Sequence, residues 1–210
     1  MPQALSQLLA LIVIGTATTA PIVAWGQSYD WQVSGRTARE LFPLFGLLAY
    51  SLMWQQVFVF NIFRNLGPNF RKWFGTIAGL AIFIFIVLHP LLLALAQFES
   101  TEKLPPESWY KYVNSKQRDF ITLGVIAWLT FLAYDVARLV KNTGWYPRYS
   151  WIIRYSGHAA FFLIYIHSTQ LGTHLQTGIF PAVWTFFAAS ALVLIAREAY
   201  QDVQRLTTRG

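Results

Sequence analysis

The sequence predicts an all-α protein, a single-domain bundle of six transmembrane helices over residues 1–210. Composition is the first observation behind this prediction: 55% of the 210 residues are hydrophobic and only 12% are charged, whereas soluble domains contain about 25% charged residues. The second observation is the length of the apolar stretches, and the third is the distribution of the basic residues. The lipid bilayer is therefore the first partner that we expect for this chain.

Six apolar stretches have the length of a membrane-spanning helix, which needs about 20 mostly apolar residues. The first stretch starts almost at the N-terminus, but it is long and no Lys or Arg precedes it. A cleaved signal peptide usually has a basic start and a shorter apolar core, so we predict an uncleaved first helix. The predicted helices lie near residues 4–25, 41–63, 73–97, 119–140, 151–172 and 179–199.

Basic residues gather in alternate loops and thereby predict the orientation. The turn between the second and third helices carries Arg64, Arg71 and Lys72, and the turn between the fourth and fifth helices and the C-terminal tail are also basic. The other loops are mixed in charge or uncharged. The positive-inside rule then places both termini in the cytoplasm. Because the bilayer accounts for the net charge of +7, we expect no nucleic-acid partner.

Several other classes of site are excluded or not indicated. The chain has no cysteine, so it contains no disulfide, thiol nucleophile or cysteine-ligated iron–sulfur cluster. It shows no glycine-rich nucleotide-binding motif. No internal repeat is evident in the sequence, so we predict none. The aromatic side chains of the loop at 98–118, which include Trp109, either lie at the membrane interface or contact a partner protein, and we favour the interface.

His89 and His167 are the strongest candidates for metal ligands. His89 lies 17 residues after Lys72 in the third helix, and His167 lies 16 residues after Trp151 in the fifth. At 1.5 Å per residue both lie roughly 24–26 Å from the cytoplasmic end. Two imidazoles at one depth suit the two axial positions of a haem iron. The alternative is that each makes a hydrogen bond between helices, and we favour the haem pair.

The other two histidines are weaker candidates. His158 precedes His167 by nine residues, which turns it about 180° around the helix. We therefore favour a structural hydrogen bond for His158, while keeping it as a candidate for cofactor binding. His174 lies just beyond the fifth helix, and we expect it to be a solvated loop residue.

Three arginines near the ends of the predicted helices are candidate partners for the propionates of a haem. Arg36 and Arg118 would lie on the outer side and Arg154 on the inner side. Arginine forms bidentate bonds with carboxylates. A snorkelling arginine at the membrane interface is an equally good interpretation of each.

Four short motifs, in this order on a six-helix frame, resemble the ferric reductase-like transmembrane domain family, in particular its MsrQ-type haem-binding membrane subunits. The resemblance covers about residues 34–199. The motifs are SGRTA at 34–38, VLH at 87–89, ITLGVIAW at 121–128, and Trp151 followed by IH at 166–167.

This resemblance implies a b-type haem and electron transfer across a bacterial inner membrane, as a subunit of an oxidoreductase system. The donor would be a separate flavoprotein, with its own flavin, or a quinol, and the acceptor a soluble redox enzyme on the outer face. The family usually has a second histidine thirteen residues before the one matched by His167, but here that position is Arg154. One haem is therefore expected and a second is in doubt. The alternative is a non-redox scaffold or assembly subunit without haem.

Overall fold

Helices account for all the secondary structure in the part of the chain that the computed structural model describes, namely residues 1–32, 37–140, 142, 144 and 146–207. The six predicted long helices are present, with one additional short helix. Two 3₁₀ turns, Ser115–Gln117 and Thr173–Leu175, precede α5 and α7. The helices are α1 (Gln3–Ser28), α2 (Ala38–Ile62), α3 (Pro68–Thr101), α4 (Glu107–Tyr112), α5 (Arg118–Leu139), α6 (Tyr146–Leu171) and α7 (Phe180–Thr207).

Five of these helices, α1, α2, α3, α5 and α7, are long and apolar enough to cross a membrane. Their outward faces carry large apolar side chains such as Leu80 and Phe83 of α3, which are 60% and 42% exposed. A surface of this kind suits lipid rather than water. The sixth long helix, α6, is equally long, but Arg148, Arg154 and His158 interrupt its apolar sequence.

Two antiparallel helical hairpins, α2–α3 and α5–α6, form the centre of the bundle. The buried ring of Tyr50 in α2 connects the two hairpins, because its centre lies 4.6 Å from that of Phe161 in α6. It also lies 4.7 Å from the ring centre of Trp184 in α7. Stacked and tilted aromatic pairs at this spacing add to the stabilisation by burial. α2 is therefore the helix around which the other elements are arranged.

Local sequence signals set the ends of α2 and α3. The backbone N–H of Thr37 donates a hydrogen bond of 2.9 Å to the carboxylate of Glu40, three residues later. This is one of the two hydrogen bonds of a capping box. Gly67 adopts a φ of 76°, which glycine tolerates best, and Pro68 then supplies the φ that suits a first helical position. α3 consequently starts five residues before the predicted boundary at 73.

Hydrogen bonds between polar side chains tie α1 to α2 inside the apolar layer. Ser51 donates to the backbone oxygen of Ala17 at 2.6 Å, and the side-chain amide of Gln55 donates to the Thr18 hydroxyl at 3.0 Å. Satisfying polar groups internally is necessary where no water is present. α1 is therefore an integral part of the bundle in this structure.

One end of the bundle gathers α4, both 3₁₀ turns, the C-terminal ends of α1, α3 and α6, and the N-terminal ends of α2, α5 and α7. We call it the α4 end. The Gln117 side chain donates a hydrogen bond of 3.4 Å to the backbone oxygen of Gln170 across this end.

The interpretation of residues 98–118 as a loop was incomplete, because Glu107–Tyr112 forms a short helix there. That helix places Trp109 over the interior of the bundle.

Candidate functional site

The structure brings His89 of α3 and His167 of α6 together near the α4 end. Their ring centres are 6.4 Å apart and their ring planes are almost perpendicular, at 87°. The two helices lie in different hairpins, so this proximity depends on how the hairpins pack together. The two histidines that sequence placed at equal depth are thus neighbours in space.

Each of these imidazoles is held by a backbone carbonyl of the neighbouring helix. Nδ1 of His89 lies 2.7 Å from the oxygen of Phe42, and Nδ1 of His167 lies 2.7 Å from the oxygen of Phe120. A carbonyl oxygen can only accept, so each Nδ1 carries the proton and donates it. Within the described residues neither ring makes another hydrogen bond, and each keeps the Nε2 lone pair available for a metal.

Two glycines allow the imidazoles to approach the helices that hold them. A Cβ atom at Gly46 would lie 2.7 Å from Nδ1 of His89, and one at Gly124 would overlap the ring of His167. Each glycine lies one helical turn after the phenylalanine that supplies the carbonyl. A side chain at either position would therefore displace the histidine from its hydrogen bond.

Each hairpin contains one copy of this arrangement of phenylalanine, glycine and histidine. The chain therefore has an internal repeat, and the prediction that it has none was wrong. In both hairpins, the histidine follows the phenylalanine by 47 positions. The identical residues are scattered among many positions that differ, so the repeat is weak in the sequence. Between the two hairpins, ten identical pairs are separated by 78 positions: Phe42 and Phe120, Gly46 and Gly124, Ala49 and Ala127, Trp73 and Trp151, Gly79 and Gly157, Ala81 and Ala159, Phe83 and Phe161, Ile86 and Ile164, His89 and His167, and Leu93 and Leu171.

A mostly apolar cavity of about 160 Å³ is lined by both imidazoles and by residues of α2, α3, α5 and α6. Trp109 of α4 and His174 of the second 3₁₀ turn also line it.

The expectation that His174 is solvated was wrong: its side chain is buried, with 9% exposure, and its ring centre lies 5.4 Å from that of Tyr29. Burial lowers the pKa of His174 below its usual range, so the ring is neutral at pH 7.

The structure places the other candidate residues elsewhere. Arg154 forms ion pairs with Glu198, at 2.8 Å, and with Asp202, both in α7, and Nε2 of His158 lies 3.7 Å from Glu198. Neither Arg154 nor His158 lines the cavity. A role for them in cofactor binding stays a prediction. Arg36 lies outside the described residues.

Arg118 is likewise absent from the lining of the cavity. Its side chain is exposed at the start of α5. This position agrees with the interpretation of Arg118 as an arginine of the interface.

The distance between the two ring centres agrees with that of two imidazoles on one haem iron. Two imidazoles that bind one metal ion from opposite sides have ring centres about 6.3 Å apart, because each metal–nitrogen bond is about 2 Å long; the observed value is 6.4 Å. Within the described residues no group of three His, Cys, Asp or Glu side chains could hold a bare ion. A haem brings its own equatorial nitrogens and needs only axial ligands.

Comparisons with models of protein families, with curated proteins and with solved structures found no match for this chain. The interpretation of the site therefore depends on its own geometry.

We predict that Gly46→Ala lowers the free energy of unfolding by about 1–3 kcal/mol, because the added methyl group overpacks against His89. Gly124→Ala should act in the same way on His167. Chemical unfolding of the purified protein in detergent, followed by circular dichroism, measures both effects.

Gly15→Ala is the matched control, because nothing lies within 4 Å of a Cβ at that helical position. It should be neutral, or stabilise α1 by up to about 1 kcal/mol through helix propensity. Equal effects of the three substitutions would contradict the close approach of the imidazoles to Gly46 and Gly124.

Proposed function

We propose that this chain is a six-span b-type cytochrome of a bacterial inner membrane that carries electrons to an acceptor on the outer face. The observation that carries the proposal is the spacing of the two imidazoles, whose ring centres are 6.4 Å apart with each Nδ1 hydrogen-bonded to a carbonyl. His89 and His167 would be the axial ligands of the haem iron. The Arg154 position, which lacks the histidine usual in the resembled family, favours one haem.

In the proposed topology α6 is the sixth span and both termini are cytoplasmic. The α4 end is then the outer end, since Arg64 and Lys72 lie at the opposite end, between α2 and α3. Charged side chains within a span are costly unless they are paired. The ion pairs of Arg154 with Glu198 and Asp202 of α7 reduce this cost for α6.

The residues of this chain would bind, orient and shield the cofactor. The carbonyls of Phe42 and Phe120 fix the tautomer and the direction of each imidazole, which also raises its basicity as a ligand. Apolar side chains such as Leu47, Ile86 and Phe131 line the cavity and exclude water. When bound, the haem iron supplies one-electron redox chemistry, and its potential depends on the two ligands and this apolar shell.

The donor and the acceptor would be separate molecules. The proposed donor is a cytoplasmic flavoprotein or a quinol in the membrane. The position of the cavity near the α4 end brings the cofactor close to the outer surface. A soluble redox enzyme that docks at this surface is the proposed acceptor.

A non-redox scaffold on the same frame is the second candidate function. The ion pairs that occupy Arg154 are the observation that favours it, because they replace a ligand position of the resembled family by a structural contact. In a scaffold, the two hydrogen bonds of His89 and His167 to backbone carbonyls would serve only to pack the hairpins. A colourless protein, purified with haem supplied during expression, would support this function.

We predict that His89→Ala and His167→Ala each remove most of the bound haem, because each leaves the iron with one axial protein ligand. The absorbance ratio of the Soret band to the protein band at 280 nm, measured on detergent-purified protein, reports the loss. His158→Ala is compared with them, because His158 contacts Glu198 and does not line the cavity; a partial loss of haem there would indicate a second or alternative mode of ligation. Equal haem content in all three variants would contradict the assignment of the ligands.

We also predict one haem per chain and one midpoint potential in a redox titration. In the inner half of α3 and α6, Gly75 and Gly79 provide no ligand. Arg154 is paired with acids there, and Nε2 of His158 lies beside Glu198. Haem quantified as its pyridine complex, against protein by amino-acid analysis, gives the ratio. A ratio of two would contradict the prediction of a single haem.

A further inference from the structure

We propose that Trp109 and His174 form a carboxylate-binding site at the α4 end of the cavity and hold the propionates of the cofactor there. This inference rests on the proposed function, because it names which residues of the same cavity receive the charged edge of a haem. Both residues lie outside the long helices, in α4 and in the 3₁₀ turn after α6.

Trp109 offers a hydrogen-bond donor that the described part of the protein leaves unused. Its indole Nε1 is buried and has no hydrogen-bond partner, and the residue lines the cavity beside the histidine pair. An indole N–H can only donate. A buried donor normally has a partner, so an acceptor supplied by a ligand in the cavity would satisfy it.

Three buried tryptophans elsewhere in the described residues contrast with Trp109, because each has an acceptor for its Nε1. Nε1 of Trp25 donates to the backbone oxygen of Glu40, and Nε1 of Trp54 and of Trp184 each donate to a serine hydroxyl, at 2.7–2.9 Å. None of these three lines the cavity. The two tryptophans that do line it, Trp109 and Trp128, both have an unpaired Nε1.

His174 supplies a second group at the same end. The imidazole is buried, lines the cavity, and makes no hydrogen bond within the described residues; its only contact of note is with the ring of Tyr29. A neutral imidazole has one N–H donor. Together, Trp109 and His174 can each donate one hydrogen bond to a carboxylate.

Unpaired donors also occur deeper in the cavity, on the hydroxyl of Tyr50 and on Nε1 of Trp128. These residues lie one helical turn beyond Gly46 and Gly124, about 6 Å further from the α4 end. An ionised carboxylate is costly to bury in an apolar interior, and more so towards the centre of a bilayer. The charged propionates are therefore expected at Trp109 and His174, and an uncharged edge of the macrocycle at Tyr50 and Trp128.

The test compares two substitutions that each remove one unpaired indole N–H from the same cavity. Trp109→Phe and Trp128→Phe are prepared as apoproteins in detergent with the unaltered chain, and are titrated with iron protoporphyrin and with iron octaethylporphyrin, which has no carboxylates. Trp109→Phe should weaken binding of iron protoporphyrin by about ten- to a hundredfold, as expected for a hydrogen bond to a charged acceptor. It should leave the affinity for iron octaethylporphyrin unchanged, and Trp128→Phe should show no preference between the two porphyrins.

His174→Phe provides an independent variant in case Trp109→Phe disrupts α4, and it should show the same selective loss for iron protoporphyrin. Unchanged affinity of both variants for iron protoporphyrin would overturn the inference while the proposed function stands. A selective loss in Trp128→Phe instead would also overturn it, because the carboxylates would then face the opposite end. If the unaltered chain binds neither porphyrin, the proposed function and this inference fail together.

Discussion

The hydrogen bond from an imidazole to the backbone carbonyl of the helix beside it is the interaction on which the site depends. In each hairpin it fixes three things at once: the tautomer of the histidine, the direction of its Nε2, and the register of the two helices. It requires a glycine one turn further along, because Gly46 and Gly124 are the positions where a methyl group would meet the ring. The same arrangement in both hairpins brings two imidazoles, held in the same way, to one cavity.

In the interior of a bilayer, a polar group without a hydrogen-bond partner is energetically costly. Where no water is present, polar groups must find partners within the protein, as Ser51 does with α1 and Arg154 does with α7. Against that background, the unused donors of Trp109 and Trp128 in the wall of one cavity are informative. A ligand with hydrogen-bond acceptors, as proposed above, would satisfy them, whereas a purely apolar lipid chain would not.

Runs of about 20 mostly apolar residues were sufficient to predict six long helices, of which five, all but α6, are apolar enough to cross a membrane. The level of His89 and His167 also followed from counting residues along straight helices. Contacts between helices could not be counted in this way. The burial of His174 depends on how the turn after α6 folds over the cavity, and the role of Gly46 and Gly124 depends on which side chain faces them. Both are visible only once the helices are packed.

Electron paramagnetic resonance of the oxidised, purified protein tests the central claim most directly, since it reports the axial ligands of a ferric haem. Two imidazoles with nearly perpendicular ring planes, at 87° in this structure, predict a low-spin signal with strong g-anisotropy. A high-spin signal from haem bound in the unaltered chain would contradict ligation of one iron by both His89 and His167.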